Sequence, residues 1–354
     1  MVRAEVADGR VANSVRLQKP FSEADSSPTH GMANVVKKVN MRNALRLLSG
    51  PLLVGLLVSG AVHAQTGQLP GTAGVIGTPY RVGGYQVILT GAAFATRLAH
   101  SEAAVIPEKQ KKLLVLNWTV QNPGATMLGF DWNSIRFTVV SADNSNHENA
   151  EIALNPDTMT PLNLTLKPTQ KIPVLSYIEV PASDPIPKLM LQSAGKPVVR
   201  YDLKGKVKKL TGLFAAPDGV TALDAGSARL GERVELGALD FAVEKVESVA
   251  TALGEVDPGD GNKLVVVTVA FTNPNRTDFS LDQGSYQLAM KDANDEDIEF
   301  KALLRAVGNT PLTAELKPGQ NLKGRLVFAA GKDAQAGSLT FTWQDQRSAK
   351  IALK

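Results

Sequence analysis

The sequence repeats one strand-forming segment at a distance of 151 residues. Residues 112–123 (KLLVLNWTVQNP) recur as residues 263–274 (KLVVVTVAFTNP). In both copies large apolar residues alternate with polar or small ones, which is typical of a half-buried β-strand. Both copies end on Asn-Pro, and proline stops a strand because it lacks the amide hydrogen that a ladder needs. A repeat of this length predicts a duplicated domain.

Four further segments recur in the same order along the chain. They pair 135–139 with 286–290, 160–168 with 310–318, 171–180 with 322–329, and 188–192 with 338–343. Each copy therefore holds about seven short strands with turn residues between them, and neither shows a long amphipathic helix. We predict an all-β chain with two tandem immunoglobulin-like β-sandwich domains.

The repeat also sets the expected domain boundaries, and a length of 354 residues suits roughly two domains. Residues 65–79 are rich in Gly, Thr and Pro and are expected to form a flexible lead. The first β-sandwich domain is expected at 80–204, a connector at 205–229, and the second β-sandwich domain at 230–354.

A segment that begins at Met41 has the composition of a signal peptide. Arg42 and Arg46 precede an interrupted apolar run, and Val62-His63-Ala64 supplies small residues at the cleavage-determining positions. We expect residues 41–64 to be removed, residues 1–40 to be a doubtful N-terminal extension, and the protein to be exported to the periplasm or the exterior. The apolar run is shorter than the roughly 20 residues that span a bilayer, so no stable membrane insertion is expected after cleavage; an uncleaved anchor is the alternative.

The charge of the chain is balanced once this leader is set aside. The first 64 residues carry eight of the 38 Lys and Arg residues and four of the 34 Asp and Glu residues, which leaves 30 of each sign. Nucleic acid is therefore not an expected partner, because such binding depends on clustered cations. The one dense basic run is Lys204, Lys206, Lys208 and Lys209. We interpret it as a solvated linker, with an acidic partner as the alternative.

Residue types that commonly act in catalysis or metal binding are scarce in this sequence. The chain has no cysteine, which excludes thiol catalysis, cysteine-ligated metals, disulfides and a lipid anchor on an N-terminal cysteine. Only His100 and His147 follow the leader, and both are expected in exposed loops without a nucleophile motif. The acidic turn Asp292 to Asp297 offers hard oxygen ligands for calcium, but it lacks the EF-hand pattern and a solvated hairpin is the simpler interpretation. We expect no catalytic, cofactor-binding or metal-binding residues and no cofactor.

Several of these segments resemble a known family. Asp257-Pro-Gly-Asp-Gly261, 263–273, 286–292 and Leu316-Lys-Pro-Gly319 are similar to the telokin-like, immunoglobulin-like domain of unknown function found in bacterial secreted and lipid-anchored proteins. The resemblance implies two tandem copies, of which the second is clearer because the first has Thr169 in place of the turn glycine. The family has no shared catalytic residues, so the resemblance implies fold and compartment but no reaction.

The sequence therefore predicts an exported non-catalytic protein and not an enzyme. The leading hypothesis is a binding or interaction module for a protein, a glycan or an envelope component. A structural or chaperone-like envelope spacer is the first alternative, and a hydrolase with an unrecognised carboxylate site is the second. A binding module should show an exposed apolar patch, whereas a spacer should not.

Overall fold

The computed structural model describes residues 71–100, 104–148, 152–193 and 198–354. The doubtful extension (1–40), the expected signal peptide (41–64) and residues 65–70 of the expected lead lie outside the described residues. All described residues belong to one compact unit, Thr66–Lys354. They form strands, turns and loops and contain no helix, so the predicted all-β fold is confirmed. Among them no helix is long and apolar enough to cross a membrane.

The first sandwich consists of two sheets that face each other across one apolar core. Its strands are β1 (Thr72–Gly74), β2 (Tyr80–Val82), β3 (Tyr85–Ala95), β4 (Lys111–Gln121), β5 (Leu128–Phe130), β6 (Arg136–Val140), β7 (Asn146–Glu148), β8 (Leu164–Leu166), β9 (Lys171–Pro181), β10 (Lys188–Gln192), β11 (Val199–Asp202) and β12 (Val207–Lys208). Sheet A has the order β1-β11-β10-β6-β7, and sheet B has the order β12-β3-β4-β9 with β2 paired to β3. A two-stranded ribbon, β5-β8, closes one end.

The second sandwich contains the remaining 11 strands, nine of which join in one continuous sheet and two of which pair as a separate ribbon. They are β13 (Ala225–Ala228), β14 (Val234–Leu236), β15 (Leu239–Val249), β16 (Asn262–Thr272), β17 (Phe279–Leu281), β18 (Gln287–Asp292), β19 (Asp297–Arg305), β20 (Ala314–Leu316), β21 (Asn321–Gly331), β22 (Ala336–Trp343) and β23 (Arg347–Ala352). Sheet C has the order β13-β23-β22-β18-β19-β21-β16-β15-β14. β19 pairs with β18 at its start and with β21 beyond it, so it links the two layers.

The repeated strands β4 and β16 lie at the centre of their layers and are buried on both faces. Their predicted inward residues are Leu114, Leu116, Trp118 and Val120 in β4, and Val265, Val267, Val269 and Phe271 in β16. The structure confirms this assignment. On the opposite face Leu113 and Val115 form a smaller cluster, as do Leu264 and Val266 in the second sandwich. Burial on both faces explains why these strands are almost continuously apolar.

The asparagine of each Asn-Pro pair performs the same structural task. The Nδ2 of Asn122 donates to the carbonyls of Thr126 (2.7 Å) and Leu166 (3.0 Å). The Nδ2 of Asn273 donates to the carbonyls of Thr277 and Leu316, both at 2.8 Å. A buried amide that satisfies two carbonyls fixes the end of the central strand to the small ribbon beside it.

The expected lead and connector contribute strands to the sandwiches. β1 lies within 65–79 and pairs in parallel with β11 of sheet A. Within 205–229, β12 pairs with β3 of the first sandwich and β13 pairs with β23 of the second. Phe214, which lies between them, is 3% exposed and belongs to the core of the second sandwich. The chain therefore passes from one sandwich to the other without a free linker in this range.

The two sandwiches meet at a joint built around the buried carboxylate of Asp240. Its Oδ1 lies 2.5 Å from Nη1 of Arg97 in the first sandwich, and its Oδ2 accepts from Nε of Arg233 at 2.9 Å. Arg97 also donates to the carbonyl of Gly237 at 3.2 Å. Gly237 has φ = 71°, and a Cβ there would lie 2.2 Å from the ring of Trp343, so only glycine presents this carbonyl without strain.

A second arginine also links the two sandwiches, and it extends from the second sandwich to the first. Arg347 of the second sandwich donates to the carbonyl of Thr96, the neighbour of Arg97, and its guanidinium lies 5.5 Å from the ring centre of Phe214. Burial lowers the pKa of Arg347 to about 10. The backbone amide of Gln110 donates to both carboxylate oxygens of Asp224 at 3.0 and 3.1 Å. These reciprocal contacts fix the two sandwiches to each other.

A buried lysine connects β4 with the segment 205–229, which follows the first sandwich. The amine of Lys112 donates to the carbonyls of Asp184 (2.7 Å) and Val220 (2.6 Å) and lies 3.9 Å from the ring centre of Phe94. Its side chain is fully buried. Burial lowers the pKa of Lys112 from 10.5 to about 8, although the charges of Asp184 and Asp218 partly offset this effect.

The lowered pKa of Lys112 predicts that stability increases with pH. Between pH 8 and 10.5 the unfolded chain holds a proton that the folded chain releases, so the free energy of unfolding should rise by up to about 1.4 kcal/mol per pH unit. Urea unfolding of residues 65–354 between pH 7.5 and 9.5, compared with Lys112→Met, isolates this effect. The wild-type free energy should rise relative to the variant; parallel profiles would show that Lys112 keeps its proton.

Candidate binding groove

An open groove crosses the outer face of sheet A in the first sandwich. Its volume is about 800 Å³. It is lined by Gly71, Thr72, Ala73, Val140, Asn144, Asn146, Lys188, Leu189, Met190, Arg200, Tyr201, Asp202 and Lys204. The lining extends from β1 at one edge of the sheet to the β6-β7 turn at the other. The groove is larger than three other concavities on the described residues, whose volumes are about 10, 270 and 440 Å³.

Strand register places the outward side chains of the groove in two cross-strand rows. The first row is Asn146, Val140, Lys188 and Asp202, and the second is Glu148, Thr138, Met190, Arg200 and Ala73. Residues directly opposite each other on neighbouring strands have adjacent side chains. Met190 and Val140 therefore form a half-buried apolar centre, and Lys188, Arg200 and Lys204 form a cationic flank beside it.

The corresponding face of the second sandwich is different. There the equivalent positions on β18, β22 and β23 place Lys291 opposite Ser338, and Thr340 between Ala289 and Lys350. Met190 is thus replaced by Thr340 and Val140 by Lys291. The second face has no apolar centre, although the strands and their register are the same. The groove chemistry is specific to the first sandwich.

Comparison with known proteins finds a family model that is similar to the second sandwich. Residues 228–350 match a domain of unknown function, DUF4352. The match begins in β13 and ends in β23, so it covers the second sandwich and leaves the groove outside. No curated protein matches the chain significantly in sequence.

Among solved structures, an uncharacterized β-sandwich protein from Clostridium difficile 630 is 12% identical, with 36% of this chain and 93% of that chain covered and a TM-score of 0.29. The yjhA protein from Bacillus subtilis is 17% identical over 36% of this chain and 98% of its own, with a TM-score of 0.27. A candidate lipoprotein from Bacillus subtilis, ycdA, is 14% identical over 34% of this chain and 37% of its own, with a TM-score of 0.26.

Both histidines are more buried than the sequence predicts, although His100 does lie in a loop as predicted. His147 was expected in an exposed loop, but it lies half-buried on β7 because the hairpin continues as a strand past its turn. Its Nε2 is 2.8 Å from Oγ of Ser141, which is only 1% exposed. A buried serine cannot reach a substrate, so this pair closes the β6-β7 hairpin. His100 is half-buried outside the strands and not exposed as expected.

The acidic turn 292–297 of the DUF4352 region is a hairpin with internal partners. Oδ1 of Asp292 accepts from the backbone amides of Asn294 (2.8 Å) and Glu296 (2.9 Å), and these bonds lower the pKa of Asp292. Nζ of Lys291 lies 3.3 Å from Asp297. No group of three or more metal-ligating side chains occurs among the described residues.

We predict that Asp292 acts through these backbone bonds and not through an ion. Asp292→Ala should lower the thermal midpoint of residues 65–354 by a few degrees, because two turn amides lose their acceptor. Asp295→Asn removes an 81% exposed carboxylate at a left-handed position (φ = 67°) that asparagine tolerates, so it should leave the midpoint unchanged. Differential scanning calorimetry with and without EDTA provides the check. A midpoint that falls on chelation and recovers with calcium would contradict the prediction.

The sequence contains a signal for the groove that strand patterns alone do not reveal. The segment 188–192 aligns with 338–343, and at the outward positions Lys188 and Met190 correspond to Ser338 and Thr340. A difference between copies at positions that do not support the core points to function. A smaller exposed apolar pair, Met127 (69% exposed) and Trp132 (40%), flanks β5 at the end of the first sandwich.

Proposed function

We propose that this chain is an exported, non-catalytic binding protein whose first sandwich holds its partner in the sheet A groove. The observation that carries the proposal is the contrast between the two outer faces. One strand arrangement presents Met190 and Val140 beside three cations in the first sandwich, and Thr340 and Lys291 at the equivalent positions in the second. An exposed face with an apolar centre and a charged rim is typical of an interaction site.

Export rests on the leader at 41–64, which has the charge, apolar run and cleavage residues of a signal peptide. The first sandwich is in this proposal a diverged, telokin-like copy of the second. Asn122 and Asn273 make the same pair of hydrogen bonds, which supports a common origin. The second sandwich then serves as a rigid support, because the joint holds it against the first.

The two alternatives are less compatible with the groove. A spacer has no need of an apolar centre on an open face, and the second sandwich shows that the fold forms without one. A hydrolase that works through paired acids needs two carboxylates in one cleft. Asp202 is the single acid among the described residues that line this groove.

Methionine methyl NMR tests the proposal, because residues 65–354 contain only Met127, Met159, Met190 and Met290. Fractions of envelope proteins and envelope glycans from the secreting cell are added to the ¹³C-methyl-labelled chain. We expect the Met190 methyl signal to shift or broaden with one fraction, because it lies at the centre of the groove. Met290, which is 1% exposed in the core, is the internal control.

A response of Met127 without a response of Met190 would place the binding surface at the end of the first sandwich and refute the groove. A spectrum unchanged by every fraction would favour the spacer alternative.

A further inference from the structure

We propose that the partner in the sheet A groove is an extended peptide segment of about six residues that combines acidic and apolar side chains. The inference rests on the proposed function and specifies the class of ligand. The groove crosses five strands, and four strand spacings of about 4.8 Å extend roughly 19 Å. An extended chain covers this distance with about six residues.

The cations that line the groove favour a ligand with acidic side chains. Three cations, Lys188, Arg200 and Lys204, and one carboxylate, Asp202, are among the described residues that line the groove, and Glu148 lies outside the lining at the β7 edge. Lys188 and Lys204 are exposed, and Arg200 lies along β1, where its guanidinium is so close to Gly71 that a Cβ there would clash with it. Lys204 belongs to the basic run for which an acidic partner was the alternative to a linker. Cations grouped on one side of a groove attract and orient carboxylates of a partner.

The apolar centre and the two asparagine side chains of the groove favour a peptide as the ligand. Met190 and Val140 are neighbours across β10 and β6 in adjacent rows, and methionine adapts to apolar side chains of varied shape. Asn144 and Asn146 line the end of the groove at the β6-β7 turn and can donate to and accept from a peptide backbone. A ligand that satisfies all three parts has apolar side chains near β6, acidic side chains near β11, and main-chain polar groups throughout.

Other anionic ligands fit less well. Sugars and nucleobases are commonly bound by stacking on aromatic rings. Among the described lining residues the only aromatic one is Tyr201, which is 2% exposed and packs into the core. A bilayer surface is too flat to enter a concave groove. Representatives of these ligand classes therefore serve as comparisons in the binding experiment.

Fluorescence anisotropy of residues 65–354 with a labelled hexapeptide tests the inference. The probe is acetyl-Gly-Leu-Leu-Glu-Glu-Glu-amide, and its counterpart carries Lys in place of Glu. We expect saturable binding of the acidic probe that weakens as NaCl is raised from about 0.05 to 0.5 M, because exposed charges are screened. The basic counterpart should not bind.

The matched variants are Lys188→Glu/Lys204→Glu in the groove and Lys332→Glu/Lys350→Glu on the exposed surface of the second sandwich. Both change the net charge equally. The groove variant should raise the dissociation constant at least about tenfold, and the control should leave it unchanged. Met190→Glu should also abolish binding, and circular dichroism verifies that each variant is folded.

Equal loss in both variants would show attraction by net charge alone and would overturn the inference. So would tighter binding of alginate, oligo-dT or phosphatidylglycerol vesicles than of the acidic peptide, or no binding of the peptide at millimolar concentration. If Met190 responds to an envelope fraction while the peptide fails, the ligand class is wrong and the proposed binding function stands.

Discussion

Replacing Val269 with aspartate is expected to unfold the second sandwich. Val269 is fully buried on β16 within the main core, opposite Gly324 and Val243 of the neighbouring strands. None of these neighbours can pair with a carboxylate. An unpaired charge in such a site costs several kcal/mol, which is comparable to the whole stability of a domain. Urea unfolding of residues 65–354 by circular dichroism should show the loss of one transition or its shift to very low urea.

The matched control is Thr268→Asp, one residue away on the opposite face. Thr268 lies between Lys245 of β15 and Arg325 of β21. A carboxylate there faces two cations across neighbouring strands, so we expect a change within about 0.5 kcal/mol. If Thr268→Asp is the more damaging substitution, the assigned faces of β16 are reversed and the sandwich register is wrong.

Replacing Asp240 with alanine is expected to destabilise the chain by about 3 to 5 kcal/mol and to release the sandwiches from each other. The carboxylate is buried, and its removal takes away the one buried anion that pairs with Arg97 among the described residues; the side chain of Arg97 is itself only 14% exposed. Urea unfolding gives the free energy, and small-angle X-ray scattering gives the spread of inter-domain distances. The free energy of unfolding and the spread of distances should change together, because the same ion pair stabilises the fold and holds the two sandwiches together.

Glu235→Ala is the control for this joint. Glu235 lies 3.6 Å from the same arginine, but its side chain is 64% exposed, so its removal should cost less than about 0.5 kcal/mol. The double variant Arg97→Ala/Asp240→Ala should be less destabilised than the sum of its singles. Additive losses would show that the two residues do not interact, and unchanged scattering in Asp240→Ala would show that other contacts hold the joint.

The repeated strands could be predicted from the sequence because their inward faces alternate strictly. Two other long strands, β3 and β15, are not evident from the sequence pattern, although each has 11 residues. Both contain a register shift, between Leu89 and Gly91 and between Val243 and Lys245. A bulge reverses the order of inward and outward residues, and this interrupts the period of two on which strand recognition depends.

The groove and the joint depend on contacts between distant segments, which local patterns do not encode. Lys188 becomes a neighbour of Val140 and Asp202 only through the register of sheet A. Arg97 and Asp240 are 143 residues apart and belong to different sandwiches. In the sequence each is an ordinary charged residue. Comparing the sequences of the two copies can reveal the groove residues, because the copies differ at those positions. It cannot reveal the joint, because the joint is formed between the copies and not within either one.

Site-specific photo-crosslinking in the secreting cell tests the central claim most directly. A photoreactive amino acid is placed at position 190 in the groove or at position 340, its equivalent in the second sandwich. The claim that only the first sandwich binds a partner predicts a discrete intermolecular adduct from position 190 after irradiation, suppressed by Lys188→Glu/Lys204→Glu, and none from position 340. Adducts of equal yield from both positions, or from neither, would contradict it.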